Sequence, residues 1–307
     1  MVLSKGSAKD YLHDYKDGKI AQGLGIGCKL DNHLRFKFGQ YNGILGSDNV
    51  GKTYWMTWYM LALTTNHKLK WGIWMDENSK GQVLRDLIQM YSGISYKNLE
   101  HSKIDYYCDY LEDYFFFIDN KIQYKPEELL KQFEKIEADG YFIDPFNQLD
   151  HDMNYESNIK FIRYLKRWCK LNKKTAYLSM HPVTSSGRKI SEYPKGHDWE
   201  GQPMIPNKSM AEGGKIFANM ADDWINIHRL TKMDSMQYFT LIDIDKVKDK
   251  DTGGSQTMSN DPLMFYYNNG LGFKIEDVDP IIREKQETIL DTFDFRQNNN
   301  FDDTLPF

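Results

Sequence analysis

The sequence predicts an α/β domain: a mainly parallel central sheet flanked by helices, with antiparallel strands toward the C-terminus. Three observations carry this. From residue 34 onward, short apolar stretches alternate with helical ones, the order of a βαβα chain. The strand stretches are apolar throughout and do not alternate with polar residues, as strands buried on both faces do. Gly46-Ser47-Asp48-Asn49-Val50-Gly51-Lys52-Thr53 matches the phosphate-binding loop G-x-x-x-x-G-K-[ST] at every fixed position, between a strand pattern and a helix pattern.

Taken in order, Phe36–Leu45 reads as the strand before that loop and Tyr54–Leu63 as a buried helix after it. Lys70–Met75 is a short apolar strand. Gly81–Met90 is a helix with Val83, Leu84, Leu87 and Ile88 on one face. Tyr114–Ile118 is a strand, and Pro126–Ala138 a helix opened by proline. Gly140–Ile143 is a strand leading into Asp144-Pro145. Tyr155–Leu171 is an amphipathic helix with Ile159, Ile162, Leu165 and Trp168 at helical spacing. Thr175–Met180 is the next strand. After residue 220 the pattern becomes strand, turn, strand: Trp224–Leu230, Gln237–Lys246, Leu263–Asn268 and Leu271–Ile275, with Asn268-Asn269-Gly270 as a hairpin turn. Residues 1–33 are polar and glycine-bearing and read as an N-terminal arm or linker. Residues 34–276 form the domain, and 277–307 an acidic, flexible C-terminal tail.

At 307 residues the chain can form one large α/β domain. Its net charge of −5 is unevenly spread. Residues 276–307 hold nine acids against three bases, a net of −6, which leaves the rest near neutral. A near-neutral body binds nucleic acid through local basic loops. Cys28, Cys108 and Cys169 are scattered, with no C-x-x-C or Cys/His cluster, so a zinc site or disulfide framework is not expected. No apolar run approaches the ~20 residues of a membrane span, and no apolar signal region opens the chain. A reducing cytoplasm, that of a bacterium or a phage-infected host cell, is the expected location.

Chemistry is expected beyond the carboxyl ends of the parallel strands. The loop Gly46–Thr53 would turn its backbone N–H groups toward a polyphosphate, with the helix dipole adding to them. Lys52 would reach the β- and γ-phosphates, and the Thr53 hydroxyl would hold Mg²⁺. Asp144, at the tip of a buried strand, stands where a carboxylate can orient the metal or its water. Glu77, in Met75-Asp76-Glu77-Asn78, can polarise an attacking water; Asp76 is an equal candidate on composition alone. His181 ends the strand Thr175–Met180, where a polar side chain can sense a γ-phosphate. Residues 182–210 form a long loop with Arg188, Lys189, Lys195 and Lys208, which suit phosphates, and Tyr193 and Trp199, whose faces suit unstacked bases. Lys246-Val247-Lys248 ends a strand and could project into a neighbouring subunit's site or form a solvated hairpin tip.

The ordered set resembles the RecA-like motor domain, a P-loop NTPase, of hexameric replicative DNA helicases of the DnaB/Twinkle group and its phage members. The resemblance runs from about Gly23 to Ile275. It opens with Gly23-Leu24-Gly25-Ile26-Gly27 and Leu30-Asp31, and continues through Gly46–Thr53 and Met75-Asp76-Glu77-Asn78. Phe142-Ile143-Asp144-Pro145-Phe146-Asn147 is similar to the family's metal-aspartate strand, and Ser179-Met180-His181-Pro182 to its sensor strand. Ala211–Asp222 and Asp245-Lys246-Val247-Lys248 then follow in family order.

The resemblance implies ATP and Mg²⁺ as cofactors, single-stranded DNA as partner and a homo-oligomer, a hexameric ring. It makes Glu77 the catalytic glutamate ahead of Asp76, Asp144 the metal aspartate and His181 the γ-phosphate sensor. Lys246 and Lys248 would act on ATP held by the adjacent subunit. Two positions depart from the pattern. Lys248 stands where an arginine finger is usual, giving a point charge without a bidentate fork. Asp48 puts an acid in the phosphate loop, as RecA recombinases do. No primase or zinc-binding segment is present. The C-terminal Phe301-Asp302-Asp303-Thr304-Leu305-Pro306-Phe307 is similar to the acidic Pro-Phe tip of bacterial single-stranded-DNA-binding proteins, so Asp302–Phe307 could dock on a replication partner. Two other readings share the loop and sheet: a filament-forming recombinase or recombination mediator, and a nucleotide-binding assembly or loader protein with weak or no ATPase.

Overall fold

A computed structural model describes residues 5–6, 8–18, 22–183, 191–258 and 261–283. Among them, nine strands form one sheet. They are β1 (Tyr41–Leu45), β2 (Trp71–Met75), β3 (Phe115–Phe117), β4 (Gly140–Asp144), β5 (Thr175–Met180), β6 (Asp223–His228), β7 (Phe239–Val247), β8 (Leu263–Tyr267) and β9 (Phe273–Lys274). The helices are α1 (Lys9–Lys16), α2 (Lys52–His67), α3 (Lys80–Ser92), α4 (His101–Glu112), α5 (Pro126–Phe133), α6 (Tyr155–Asn172), α7 (Ile216–Met220) and α8 (Lys250–Gly253). The strand order is β3-β2-β4-β5-β1-β6-β7-β8-β9. Pairing is parallel from β3 to β6 and antiparallel from β6 to β9. The phosphate-loop strand β1 thus lies inside the sheet, between β5 and β6.

Every residue of β1, β2, β4, β5 and β6 is buried. The pleat sends successive side chains to opposite faces. Ile44, Ile73, Phe142 and Tyr177 enter one apolar core with α2, α3 and α4. Their chain neighbours Leu45, Trp74, Ile143 and Leu178 enter a second core with α5, α6 and α7. This is why the strands read as continuous apolar runs. Helix α2 lacks a polar face for a related reason: it is packed between the sheet, α3 and the β8–β9 end, and all of Trp55–Thr65 is buried.

Three strand glycines make room for rings from the next strand. Gly43 registers with Trp224, Gly72 with Tyr141 and Gly140 with Trp71. A Cβ on Gly43 would sit 2.2 Å from the Trp224 ring; one on Gly72 would sit 2.6 Å from Tyr141, and one on Gly140 2.3 Å from Trp71. The glycine-rich lead-in has a similar steric basis. Asp31 accepts the N–H groups of Ile26 (2.7 Å) and Gly27 (2.8 Å), and a Cβ on Gly25 would meet the Asp31 carboxylate at 2.4 Å.

Several boundaries differ from the sequence expectation. Residues 22–33, read as arm, contribute buried Ile26 and Leu30 to the core, and Leu24 bridges Phe36. The strand expected over Phe36–Leu45 begins at Tyr41, because Gly39 (φ +80°) turns the chain between that bridge and β1. Helix α4 gave little periodic signal because only Tyr107 and Leu111 are buried along it. Residues 277–283, read as tail, remain tied to the domain: Ile281 is buried, and Arg283 bonds Met90 O and Asp279. Tyr193 and Trp199 are not offered to unstacked bases. Tyr193 is buried, stacked on His197 at 4.4 Å and edge-on to Trp199 at 5.3 Å, in a small core with Leu230 and Leu241. Among the described residues no helix is long and apolar enough to cross a membrane.

Gly43→Ala should destabilise the domain by about 1–3 kcal/mol, because the buried Trp224 ring cannot withdraw. Gly81→Ala, on α3 with open space around its Cα, should be neutral or stabilising by up to about 1 kcal/mol. Urea unfolding of the two variants beside the wild type checks both.

Candidate active site

The loop Gly46–Thr53 leaves the carboxyl end of β1 and wraps into α2. Its second fixed glycine, Gly51, has φ +87° at the helix N-cap, a conformation open to glycine and strained for most residues. Asn49 takes φ +59°, which its short polar side chain tolerates. The first fixed glycine, Gly46, is required by space: a Cβ there would sit 2.6 Å from Ile227 O on β6.

The loop opens onto a cleft of about 550 Å³. Asp48, Asn49, Gly51, Lys52 and Thr53 line it from the loop, Glu77 from the end of β2, Asp144 from the tip of β4 and His181 from the end of β5. The topology explains the convergence. Strands β1, β5, β4 and β2 are neighbours and parallel, so their carboxyl ends open on the same side.

The Lys52 ammonium is mostly enclosed and donates to Gly46 O (2.9 Å) and Ser47 O (3.0 Å). Burial lowers its pKa, against the pull of Asp144, Asp48 and Glu77. Asp48 Oδ1 lies 2.6 Å from His181 Nδ1. A carboxylate only accepts, so this nitrogen carries the hydrogen. It then has no lone pair for Lys52, whose Nζ stands 3.4 Å away. The acid in the loop thus engages the candidate sensor directly.

Thr53 Oγ1 donates to Asp144 Oδ2, joining the first turn of α2 to the buried tip of β4. A hydroxyl and a carboxylate are two hard oxygen donors facing the cleft. That set fits Mg²⁺, which takes one or two protein oxygens and fills its remaining positions with water and phosphate. Glu77 is exposed and lines the cleft, whereas Asp76 does not line it; the Asp76 N–H instead donates to Asp144 O (3.0 Å). Beyond His181 the chain is joined to residues 210–212: Pro182 bridges Ala211, the Val183 N–H donates to Met210 O (2.8 Å) and the Glu212 N–H to His181 O (2.9 Å). Asn147, after β4, donates to Glu212 Oε2 at 3.2 Å.

Lys246 and Lys248 lie away from this cleft, at the end of the sheet where β6 begins. Lys246 Nζ donates to Ala218 O (2.9 Å) and Asn219 O (3.0 Å), and burial lowers its pKa. Lys248 Nζ donates to Asp222 Oδ1 (2.9 Å), which also takes Lys166 Nζ (2.7 Å). Of the basic loop residues, Lys195 is exposed, and Lys208 Nζ is held by Asp245 Oδ1 at 2.7 Å. Arg188, Lys189 and Asp302–Phe307 lie outside the described residues.

Sequence reading missed the far wall of the cleft, made by Tyr54, Asn78, Gln82 and Asp86. Gln82 and Asp86 are four apart on α3, opposite its apolar stripe, and that spacing was the available signal. Tyr54 is fixed from the sheet's other end, its hydroxyl accepting the Gly272 N–H at 3.1 Å.

Comparison with solved structures finds the same architecture. The isolated ATPase domain of a DnaB-like replicative helicase matches with a TM-score of 0.66 at 12% identity, covering 88% of this chain and 99% of that one. The fold is the RecA-like fold of DnaB-type helicase motor domains. A second match, from a structure of a DnaB-like replicative helicase and its interactions with primase, has a TM-score of 0.66 at 12% identity and covers 89% of this chain and 67% of that one. No protein-family model and no curated protein matches the sequence.

The Asp222 cluster gives a pH test of stability. Burial pushes the Asp222 carboxyl up, but hydrogen bonds from Lys166 and Lys248 outweigh it and leave the pKa below the ordinary 3.8. As pH falls, the unfolded chain takes up this proton first. The stabilisation is therefore fully present above pH 3.8 and lost as pH drops through the folded value. Asp222→Asn should lower the Tm at neutral pH, and its deficit against the wild type should shrink below pH 3.8. Thermal unfolding across a pH series reads this directly.

Proposed function

We propose that this chain is the ATP-hydrolysing motor of a replicative DNA helicase, translocating on single-stranded DNA as a ring of identical subunits. One observation carries the reading: Lys52, Thr53, Glu77, Asp144 and His181 line one cleft at the carboxyl ends of neighbouring parallel strands. The fold shared with the solved helicase ATPase domain, across nearly all of that domain, supports it.

The loop N–H groups and the α2 N-terminus bind the polyphosphate. Lys52 exchanges its two loop carbonyls for phosphate oxygens. Thr53 and Asp144 would hold Mg²⁺, which when bound supplies positive charge to those oxygens. Glu77 orients the attacking water and accepts its proton. His181 meets the γ-phosphate; to do so it leaves Asp48, and residues 182–212 carry that change toward DNA. Lys195, with Arg188 and Lys189, contacts the DNA backbone, while Lys208 joins them only after leaving Asp245. Lys246 and Lys248, at the opposite end of the sheet from their own cleft, act on nucleotide held by a neighbouring subunit, and Lys248 must first leave Asp222. The ring is hexameric, the tail tip Asp302–Phe307 docks on a replication partner, and the protein works in the cytoplasm of a bacterium or a phage-infected host.

The purified chain should hydrolyse ATP faster with single-stranded DNA than without it, and should unwind a forked duplex. Lys52→Ala should abolish turnover. Glu77→Gln should still bind a non-hydrolysable ATP analogue while kcat falls by about 10²–10⁴. Particle images with the analogue should show closed rings. Open filaments would select the recombinase reading, and tight binding without turnover the assembly-protein reading.

A further inference from the structure

Glu77 is an exposed side chain on a turn, yet orienting a water requires it to be held to a fraction of an ångström. The turn itself must supply that order. Its base is tied to β4 by the Asp76 N–H on Asp144 O, and its end to α3 by the Ser79 N–H on Gln82 Oε1 (2.9 Å). The remaining open side faces the segment after β3. There the Asn120 amide Nδ2 lies 2.9 Å from Met75 O, 3.3 Å from Asn78 O and 3.4 Å from Asp76 O. Carbonyls on both sides of Glu77 thus converge on one side-chain amide.

Chemistry restricts what can stand there. Carbonyl oxygens only accept, so the position needs a donor, and the asparagine NH₂ has two N–H groups to share among three acceptors. An aspartate of the same shape would offer none and would repel all three. Asn120 also lies outside the nucleotide cleft: it lines a separate cavity of about 500 Å³ between the ends of β2 and β3. A nucleotide in the cleft would not touch it, so any effect on turnover must pass through the turn.

We propose that Asn120 is a positioning residue for Glu77: it fixes the Met75–Asn78 turn through its backbone carbonyls and so sets where the catalytic carboxylate points. This rests on the reading of Glu77 as the water-orienting base. The test measures DNA-stimulated ATPase for the wild type, Asn120→Ala, Asn120→Asp, Glu77→Gln and the double variant Asn120→Ala/Glu77→Gln, with titration of a fluorescent non-hydrolysable ATP analogue for each. Both Asn120 variants should lose about ten- to hundredfold in kcat, while KM and analogue affinity stay within about twofold of wild type. In the Glu77→Gln background, Asn120→Ala should cost no further turnover, because the group it positions is gone. A kcat at the wild-type level in both variants overturns the proposal. So does a loss that multiplies with that of Glu77→Gln, or one carried by KM and affinity, since each marks a role independent of Glu77. A wild-type chain with no ATPase activity overturns the parent reading as well and is recognised before any variant is compared.

Discussion

The structure depends on keeping the central strands dry on both faces. Strands β1, β5, β4 and β2 lie side by side in the parallel part of the sheet, and each sends alternate residues into two separate apolar cores. Such strands gain burial twice over, but only if helices cover both sides. That requirement sets the crossover helices, and the crossovers make the pairing parallel. Parallel pairing in turn brings the carboxyl ends of several strands to one edge, and the cleft forms there. The site follows from how the core is buried.

At that edge the polar groups are few and already engaged with one another. Lys52 sits on its own loop carbonyls, His181 on Asp48, and Thr53 on Asp144. Each partner is one that an anion or a cation would replace with a stronger bond. Charges left without partners in so enclosed a cleft would be costly. A comparable economy governs Lys246 and Lys248, which are satisfied by carbonyls of α7 and by Asp222. Asp48 is the unusual member. It adds a negative charge close to where phosphates would sit, and it holds the one side chain that leads directly into residues 182–212.

Much of this was legible in the sequence because the signals were local and repeated. An apolar run of five or six residues ending in a charged or polar residue gave β2, β4 and β5 together with Glu77, Asp144 and His181. The phosphate loop declared itself through two glycines, one needed for its φ and one for the space it leaves to Ile227 O. What stayed hidden depended on partners distant in sequence. Nothing in the stretch after β3 marked Asn120, whose amide reaches back to the end of β2. Asp76 and Glu77 were equal by composition, and only the hydrogen bond from Asp76 to β4 separated them. Tyr193 and Trp199 looked available to bases, but their burial is set by Leu230 and Leu241, residues on other elements.

The glycine–aromatic pairs within the sheet bear on accuracy as well as on packing. Trp224, Tyr141 and Trp71 each fit over a position with no side chain, and each neighbouring residue on the facing strand carries one. A strand that slipped by one residue would drive a ring into a Cβ, so the pairs act as teeth that mesh at a single setting. Two of them join β2 to β4 and the third joins β1 to β6. The relative heights of Glu77 and Asp144 are therefore gauged by a Trp and a Tyr buried well below them, so a substitution at Gly72 or Gly140 would misalign the two carboxylates without altering any group in the cleft.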